Sequence, residues 1–393
     1  MHNYYVILGS SAAGIGALRA LLRLDEHASI TIITDQPEMP YNTCHLVDYC
    51  AGICKRQELD VVRLQSLPSR VQLLLGTHIV ALHADQRILI SDSGNALSYT
   101  HLLLATGTSA LMPSIAGLDS TQGIFTFHRL SDVTHIMSWI NAHHQRHAVV
   151  IGAGLTGLEV ADALCRQGLQ VTIIDCASQL LPGLIPCAAS DVIRSYAQKA
   201  GVAIKCNVRV MSIERDYHGR VAAAVLSNGQ QLATQMVIVA AGVKPNTALA
   251  RMAGLTLEDN CIMVNEYMQT SNAAIYAAGD IIKVSNRVTG ALVRSTTWSD
   301  AMQQGLIAAH AMSGKPRVYG GIVPYLQSSF FDCNMTAGGD YQALVEGKGK
   351  VFCDQESYEH ILYDGPNLRG YLLLGAAGAK NGSFKRLLSH IYH

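Results

Sequence analysis

Gly9-Ser10-Ser11-Ala12-Ala13-Gly14 near the start of the chain and Gly152-Ala153-Gly154-Leu155-Thr156-Gly157 near its middle are two copies of one glycine-rich turn. Each is wedged between a predicted strand and a predicted helix. Tyr4 to Leu8 is a short apolar run with β-branched and aromatic character, and Ile15 to Leu24 is rich in Ala, Leu and Arg. The next strand, Ser29 to Thr34, ends at Asp35. The second copy repeats the pattern with strand Ala148 to Ile151, helix Leu155 to Gln167 and strand Gln170 to Ile174, ending at Asp175. Glycine allows the tight turn and close backbone approach, free N–H groups at the helix start suit a pyrophosphate, and the strand-end acid suits a ribose hydroxyl. A lone turn of this kind is weak; two with strand, helix and acid in register point to a fold that holds two dinucleotides and moves electrons between them.

Composition fits that reading. The 393 residues suffice for two or three domains, and 29 Lys plus Arg balance 29 Asp plus Glu, so no basic stripe argues for nucleic acid. Only 15% of residues are charged and 34 are Gly, as expected for buried parallel sheets. No run approaches the roughly 18 to 20 apolar residues of a membrane span, and the N-terminus enters its strand at once. Ten scattered cysteines do not form a secreted disulfide framework, so the expected location is a reducing cytoplasm.

The ordered series GSSAAG, LLATGT, VVIGAGLTGLEVA, VIVAAGVKPN and IYAAGD resembles the pyridine nucleotide–disulfide oxidoreductase family over nearly the whole chain. The resemblance implies an α/β fold with two Rossmann-like domains: an FAD domain from residues 1–112 and 243–319, an NAD(H) domain at 113–242, and a small α+β C-terminal interface domain at 320–393. Carried over by position, Gly9, Ser10, Ser11, Ala12, Ala13, Gly14 and Asp35 would hold the FAD pyrophosphate and ribose. The backbone at Val80 would meet the adenine, Ala105-Thr106-Gly107 would lie along the cofactor, and Gly279-Asp280 would reach the ribityl-phosphate region. Trp298 and Phe330-Phe331 would pack either against the isoalloxazine or into an ordinary core. Gly152, Gly154, Leu155, Thr156, Gly157, Asp175 and Gly242 would bind the nicotinamide dinucleotide. Asp175 is followed by Cys176-Ala177-Ser178 without an arginine, which favours NADH over NADPH.

The electron acceptor is less constrained. In the branch of NADH oxidases and coenzyme A–disulfide reductases a single redox cysteine stands where Cys44 stands here. The helical look of His45 to Cys50 would place that thiol at a helix N-terminus, lowering its pKa. Cys44 and Cys50 are six apart rather than five, and Gly52 should break the helix before Cys54. Ferredoxin-reductase-like relatives carry a lysine where Asp48 lies. The stretches Trp298 to Gly305 and Ser328 to Phe331, with an appendage of about 70 residues, are similar to rubredoxin reductases. Glu159 falls where the family brings nicotinamide and flavin together; a carboxylate favoured by the helix start is the alternative. His143 and His147 read as a solvated linker rather than metal ligands. The chain is thus expected to be an enzyme that passes hydride from NADH to FAD. The electrons would go on to a disulfide, polysulfide, peroxide or dioxygen, with Cys44 as candidate thiol and a homodimer left open. The alternatives are reduction of a rubredoxin-like protein and a non-enzymatic NADH-responsive flavoprotein.

Overall fold

Apolar β-branched runs that are buried on both faces make the two parallel sheets. In the computed structural model, which describes residues 2–62, 67–118, 122–143 and 146–392, the chain divides into two units. The first gathers Met1–Cys44, Arg56–Ser109 and Lys244–Ile322; the second gathers His45–Lys55, Ala110–Val243 and Val323–His393.

In the first unit five parallel strands lie in the order Ile275–Ala277, His101–Leu104, Tyr4–Leu8, Ser29–Ile33 and Val71–Leu74. Tyr5, Ile7, Ile30, Ile32, Leu102 and Leu103 are fully buried within it. Helices Ala12–Leu24 and Trp298–Met312 pack so closely that a Cβ on Gly16 would overlap Met302 O, and one on Gly305 would overlap Ala13 O. An antiparallel three-stranded sheet, Ile79–His83, Ile88–Ser91 and Ala96–Ser98, completes this unit.

The second unit holds the second parallel sheet, ordered Ala203–Lys205, Gln170–Ile174, His147–Ile151, Met236–Val239 and Ile124–Thr126. Strand order reverses about His147–Ile151, and crevices for ligands form at such reversals. A separate five-stranded antiparallel sheet runs Tyr325–Phe330, Cys333–Gly339, Asn367–Gly375, Ser357–Asp364 and Lys350–Cys353. Helix Asn381–Tyr392 covers it with Leu388, while Phe384 stacks on Tyr371 at 5.4 Å between ring centres.

One expectation changes here. His143 and His147 are structural rather than solvated: His143 ends helix Leu130–His143 and stacks on Trp139 at 3.9 Å. His147 joins Ala233 O at 2.8 Å and Thr172 Oγ1 at 3.0 Å, tying three strands or strand ends together. Phe330 and Phe331 are core residues of the second unit, buried to 0% and 4% exposure, because Phe330 ends its strand inward.

Candidate functional site

The two glycine turns share two backbone hydrogen bonds to the neighbouring strand ends. In the first, Gly9 has φ +122° and donates its N–H to Ile33 O at 2.8 Å, while Ala105 N donates to Leu8 O at 2.8 Å. In the second, Gly152 has φ +116° and donates to Ile174 O at 2.8 Å, while Ala240 N donates to Ile151 O at 2.8 Å. A Cβ on Gly9 would overlap Ala105 O, and one on Gly152 would overlap Ala240 O. The loops are therefore flush against the neighbouring strand ends, leaving the space above them to a ligand.

The first helix starts at Ala12 rather than Ile15, because Ser11 takes the N-cap position and its carbonyl accepts from Ile15 N at 2.9 Å. That exposes the first-turn amides of Ala12, Ala13 and Gly14, which have no acceptor within the helix. Ser10 is half-buried, and Ser11 and Asp35 are exposed at the same edge of the sheet. Thr106 donates to Asn246 O at 2.7 Å, and Asn246 returns bonds to Thr106 O at 3.0 Å and to Gly107 O at 2.9 Å. Gln304 is fully buried and accepts from Gly279 N at 2.8 Å, fixing the turn that precedes half-buried Asp280. Sequence reasoning missed Asn246 and Gln304. Val80 is exposed on strand Ile79–His83. Trp298 begins its helix, half-buried against the first unit's core; Thr297 caps that helix by accepting from Asp300 N.

Above the second turn lies a cleft of about 830 Å³. Gly152, Gly154, Leu155, Thr156, Asp175 and Gly242 all line it. Gly157 is the third residue of helix Leu155–Arg166, where a Cβ would overlap Gly152 O. Asp175 is anchored before any ligand arrives: Oδ2 accepts from Ala153 N at 2.6 Å and Oδ1 from Ala177 N at 2.8 Å. Each carboxylate oxygen keeps a further lone pair for a ribose hydroxyl. Arg209 also lines the cleft, exposed, with no described residue bonded to its guanidinium. Its position follows from Val208, whose N–H donates to Asp175 O at 3.1 Å. Residue 209 lies more than thirty positions beyond the acid, which is why the sequence search beside Asp175 passed over it.

Glu159 sits on helix Leu155–Arg166 and accepts from Ser328 Oγ at 2.6 Å. Burial pushes its carboxyl above the usual range, the Ser328 bond pulls it back in part, and the Asp48 charge raises it further. Asp48 pairs with His45 Nδ1 at 2.9 Å.

Cys44 is exposed, and its backbone N–H donates to Asn42 Oδ1 at 3.0 Å. It lies inside a 3₁₀ turn, Thr43–His45, and the α-helix behind it, Leu46–Cys50, has five residues. The helix expected to begin at His45 behind Cys44 thus begins one residue later, at Leu46, and so short a helix has little dipole to offer the thiol. Cys50 is buried, and burial pushes its thiol up to about 12. Gly52, at φ +76°, follows the end of that helix.

The sequence pattern described as pyridine nucleotide-disulphide oxidoreductase matches residues 3–305. An NADH oxidase of Methanocaldococcus jannaschii is 29% identical over 316 residues, which is 79% of this chain and 70% of that protein. The NADH-dependent phenylglyoxylate dehydrogenase subunit epsilon of Aromatoleum evansii is 32% identical over 367 residues, 92% of this chain and 85% of that protein. A solved covalent putidaredoxin reductase–putidaredoxin complex matches with a TM-score of 0.88 and 26% identity, covering 98% of this chain and 93% of that chain. No helix among the described residues is long and apolar enough to cross a membrane. With paired glycine turns, matched strand-end acids and this breadth of similarity, the chain belongs to the pyridine nucleotide-disulphide oxidoreductase family.

Proposed function

We propose that the chain is an FAD-dependent NADH:acceptor oxidoreductase. The observation that carries this reading is the cleft of about 830 Å³ in which Asp175 is already bonded to the glycine loop, within a chain whose family works with pyridine nucleotides. The flavin supplies the hydride-accepting and electron-donating chemistry when bound. The protein's own residues bind and orient. Gly9, Ala12, Ala13 and Gly14 cradle one pyrophosphate on the free first-turn amides, while Gly9 lets the turn lie flush against Ala105. Asp35 and Asp175 receive the two riboses. Residues 1–112 with 243–319 would form the flavin domain, 113–242 the nicotinamide domain and 320–393 the interface domain.

For the acceptor, Cys44 is the candidate thiol for a disulfide, polysulfide or peroxide, since it is exposed and near-neighbour to the polar His45–Asp48 pair. Its thiolate would attack a sulfur or oxygen, forming one bond while the S–S or O–O bond breaks, and the flavin electrons would restore the thiol. A second reading, delivery to a small redox protein, is favoured by the similarity to the putidaredoxin reductase complex over 98% of this chain.

Anaerobic NADH titration tests the first step: the flavin absorbance should bleach and recover on adding an acceptor. Bleaching into a lasting reduced state with every acceptor inert would instead favour a sensor, and no bleaching overturns both. An acceptor panel on wild type and Cys44→Ser separates the branches. Loss of disulfide turnover alone, with rubredoxin or oxygen reduction kept, assigns the thiol.

A further inference from the structure

Strand Lys350–Cys353 is an outer strand of the five-stranded antiparallel sheet, and every residue in it is exposed. Phe352 is 63% exposed and Val351 45% exposed, large apolar side chains left in water at the rim of the sheet. The strand pairs on one side with Ser357–Asp364, in a register that sets Phe352 opposite Glu359 and Cys353 opposite Tyr358. Carried into the turn, that register sets Asp354 opposite Ser357, and Asp354 N donates to Ser357 O at 3.0 Å. In an antiparallel ladder, residues that exchange hydrogen bonds alternate with residues that do not. Asp354, Phe352 and Lys350 therefore turn their backbone groups inward, while Val351 and Cys353 turn theirs away from the sheet.

Such an outer row is a template for another strand, and a lysine on it ordinarily blocks chance pairing. A partner strand must therefore offer an acid opposite Lys350, and the same segment holds one. Lys350 is exposed, with no partner among the described residues. Asp354 is exposed too; its Oδ1 accepts from Glu356 N at 2.8 Å, which leaves Oδ2 for another donor. The flanking charges are committed within the chain: Lys348 pairs with Glu346 at 2.7 Å, and Glu356 with Lys199 at 2.6 Å. Lys350 and Asp354 stand symmetrically about Phe352.

We propose that this edge is a self-docking surface: a second copy of the chain adds its own Lys350–Cys353 strand antiparallel, about a two-fold axis at Phe352. In that register Val351 of each copy faces Cys353 of the other, so the outward N–H and C=O groups meet in bonded pairs. The two Phe352 side chains meet at the axis and take apolar surface out of water. Lys350 of each copy faces Asp354 of the other on one face of the joined sheet. An axis at Cys353 would instead set Phe352 against Asp354, and Lys350 against the Glu356 that Lys199 already holds. Charge thus selects the first register. Because the strand is short, the dimer is weak and depends on concentration.

Sedimentation of the flavin-loaded protein from about 1 to about 100 µM tests this. Wild type should pass from monomer to dimer within that range, and a monomer throughout overturns the proposal. Lys350→Glu and Asp354→Lys should each weaken the dimer about ten-fold, since each sets like charges opposite one another on both sides of the axis. Combining the two restores opposite charges and should recover the wild-type dissociation constant. Val351→Pro, which removes an outward N–H and none of the sheet's own bonds, should abolish the dimer. A dimer indifferent to the charge variants, or a combined variant no tighter than either single one, overturns the proposal. Should Val351→Pro or Asp354→Lys fail to fold, Lys350→Glu decides alone, since an unmoved constant there overturns it.

Discussion

Ala153 donates its backbone N–H to Asp175 Oδ2 at 2.6 Å, so the strand-end acid and the glycine loop form one assembly. Under the proposed NADH reading, replacing Asp175 would therefore remove a ribose acceptor and loosen the loop together. Asp175→Ala should weaken NADH binding by about ten-fold or more, since a hydrogen bond to a charged group contributes about 1.5 to 3 kcal/mol. Fluorescence titration with NADH checks it, and an unchanged dissociation constant would remove Asp175 from the site.

Arg209 faces the same cleft without a described partner, and its positive charge would suit the phosphates of a dinucleotide bound there. Because it is exposed, the effect should be small. Arg209→Ala should cost about 0.5 to 1 kcal/mol, a two- to five-fold loss of NADH affinity at low salt. The loss should shrink as salt rises. Calorimetry at two ionic strengths reads this directly; a loss that persists at high salt would point to packing rather than charge.

Gly305 and Gly16 set the approach of helices Ala12–Leu24 and Trp298–Met312, and each would drive a Cβ into backbone of the facing helix. Gly305→Ala should destabilise the first unit by about 1 to 3 kcal/mol through overpacking. Flavin retained after purification should fall with it, because Ala13 lies at that contact. Urea unfolding and the ratio of flavin to protein absorbance measure the two effects.

For Cys50, burial and thiol ionisation point the same way. Cys50 is buried with its thiol pushed up to about 12 by burial, so at neutral pH only about 10⁻⁵ of it is thiolate. Limiting iodoacetamide at pH 7 should label exposed Cys44, Cys176, Cys187 and Cys353 well before Cys50. Peptide mass spectrometry gives the order, and early labelling of Cys50 would contradict its burial.

What could be read from the sequence was what is local. Strand Tyr4–Leu8, the turn at Gly9 and strand Gln170–Ile174 with Asp175 follow from runs of fewer than thirty residues, where side-chain pattern and backbone need coincide. Two of the contacts that were missed act at long range: Asn246 on Thr106 and Ser328 on Glu159. No spacing rule links positions 140 or 169 apart. The start of the helix near Cys44 was misplaced for a different reason. Asn42 takes the Cys44 amide and tightens Thr43–His45 into a 3₁₀ turn, a competition between side chain and helix that composition does not reveal.

The matched construction of the two glycine turns gives the molecule its own internal control. A methyl group added at Gly14 would press on Gly9 O, and one added at Gly157 would press on Gly152 O, the same injury at equivalent places. The clash is thus the same in both lesions, so under the proposed assignment of one nucleotide to each turn, a single chain reports separately on the loss of each.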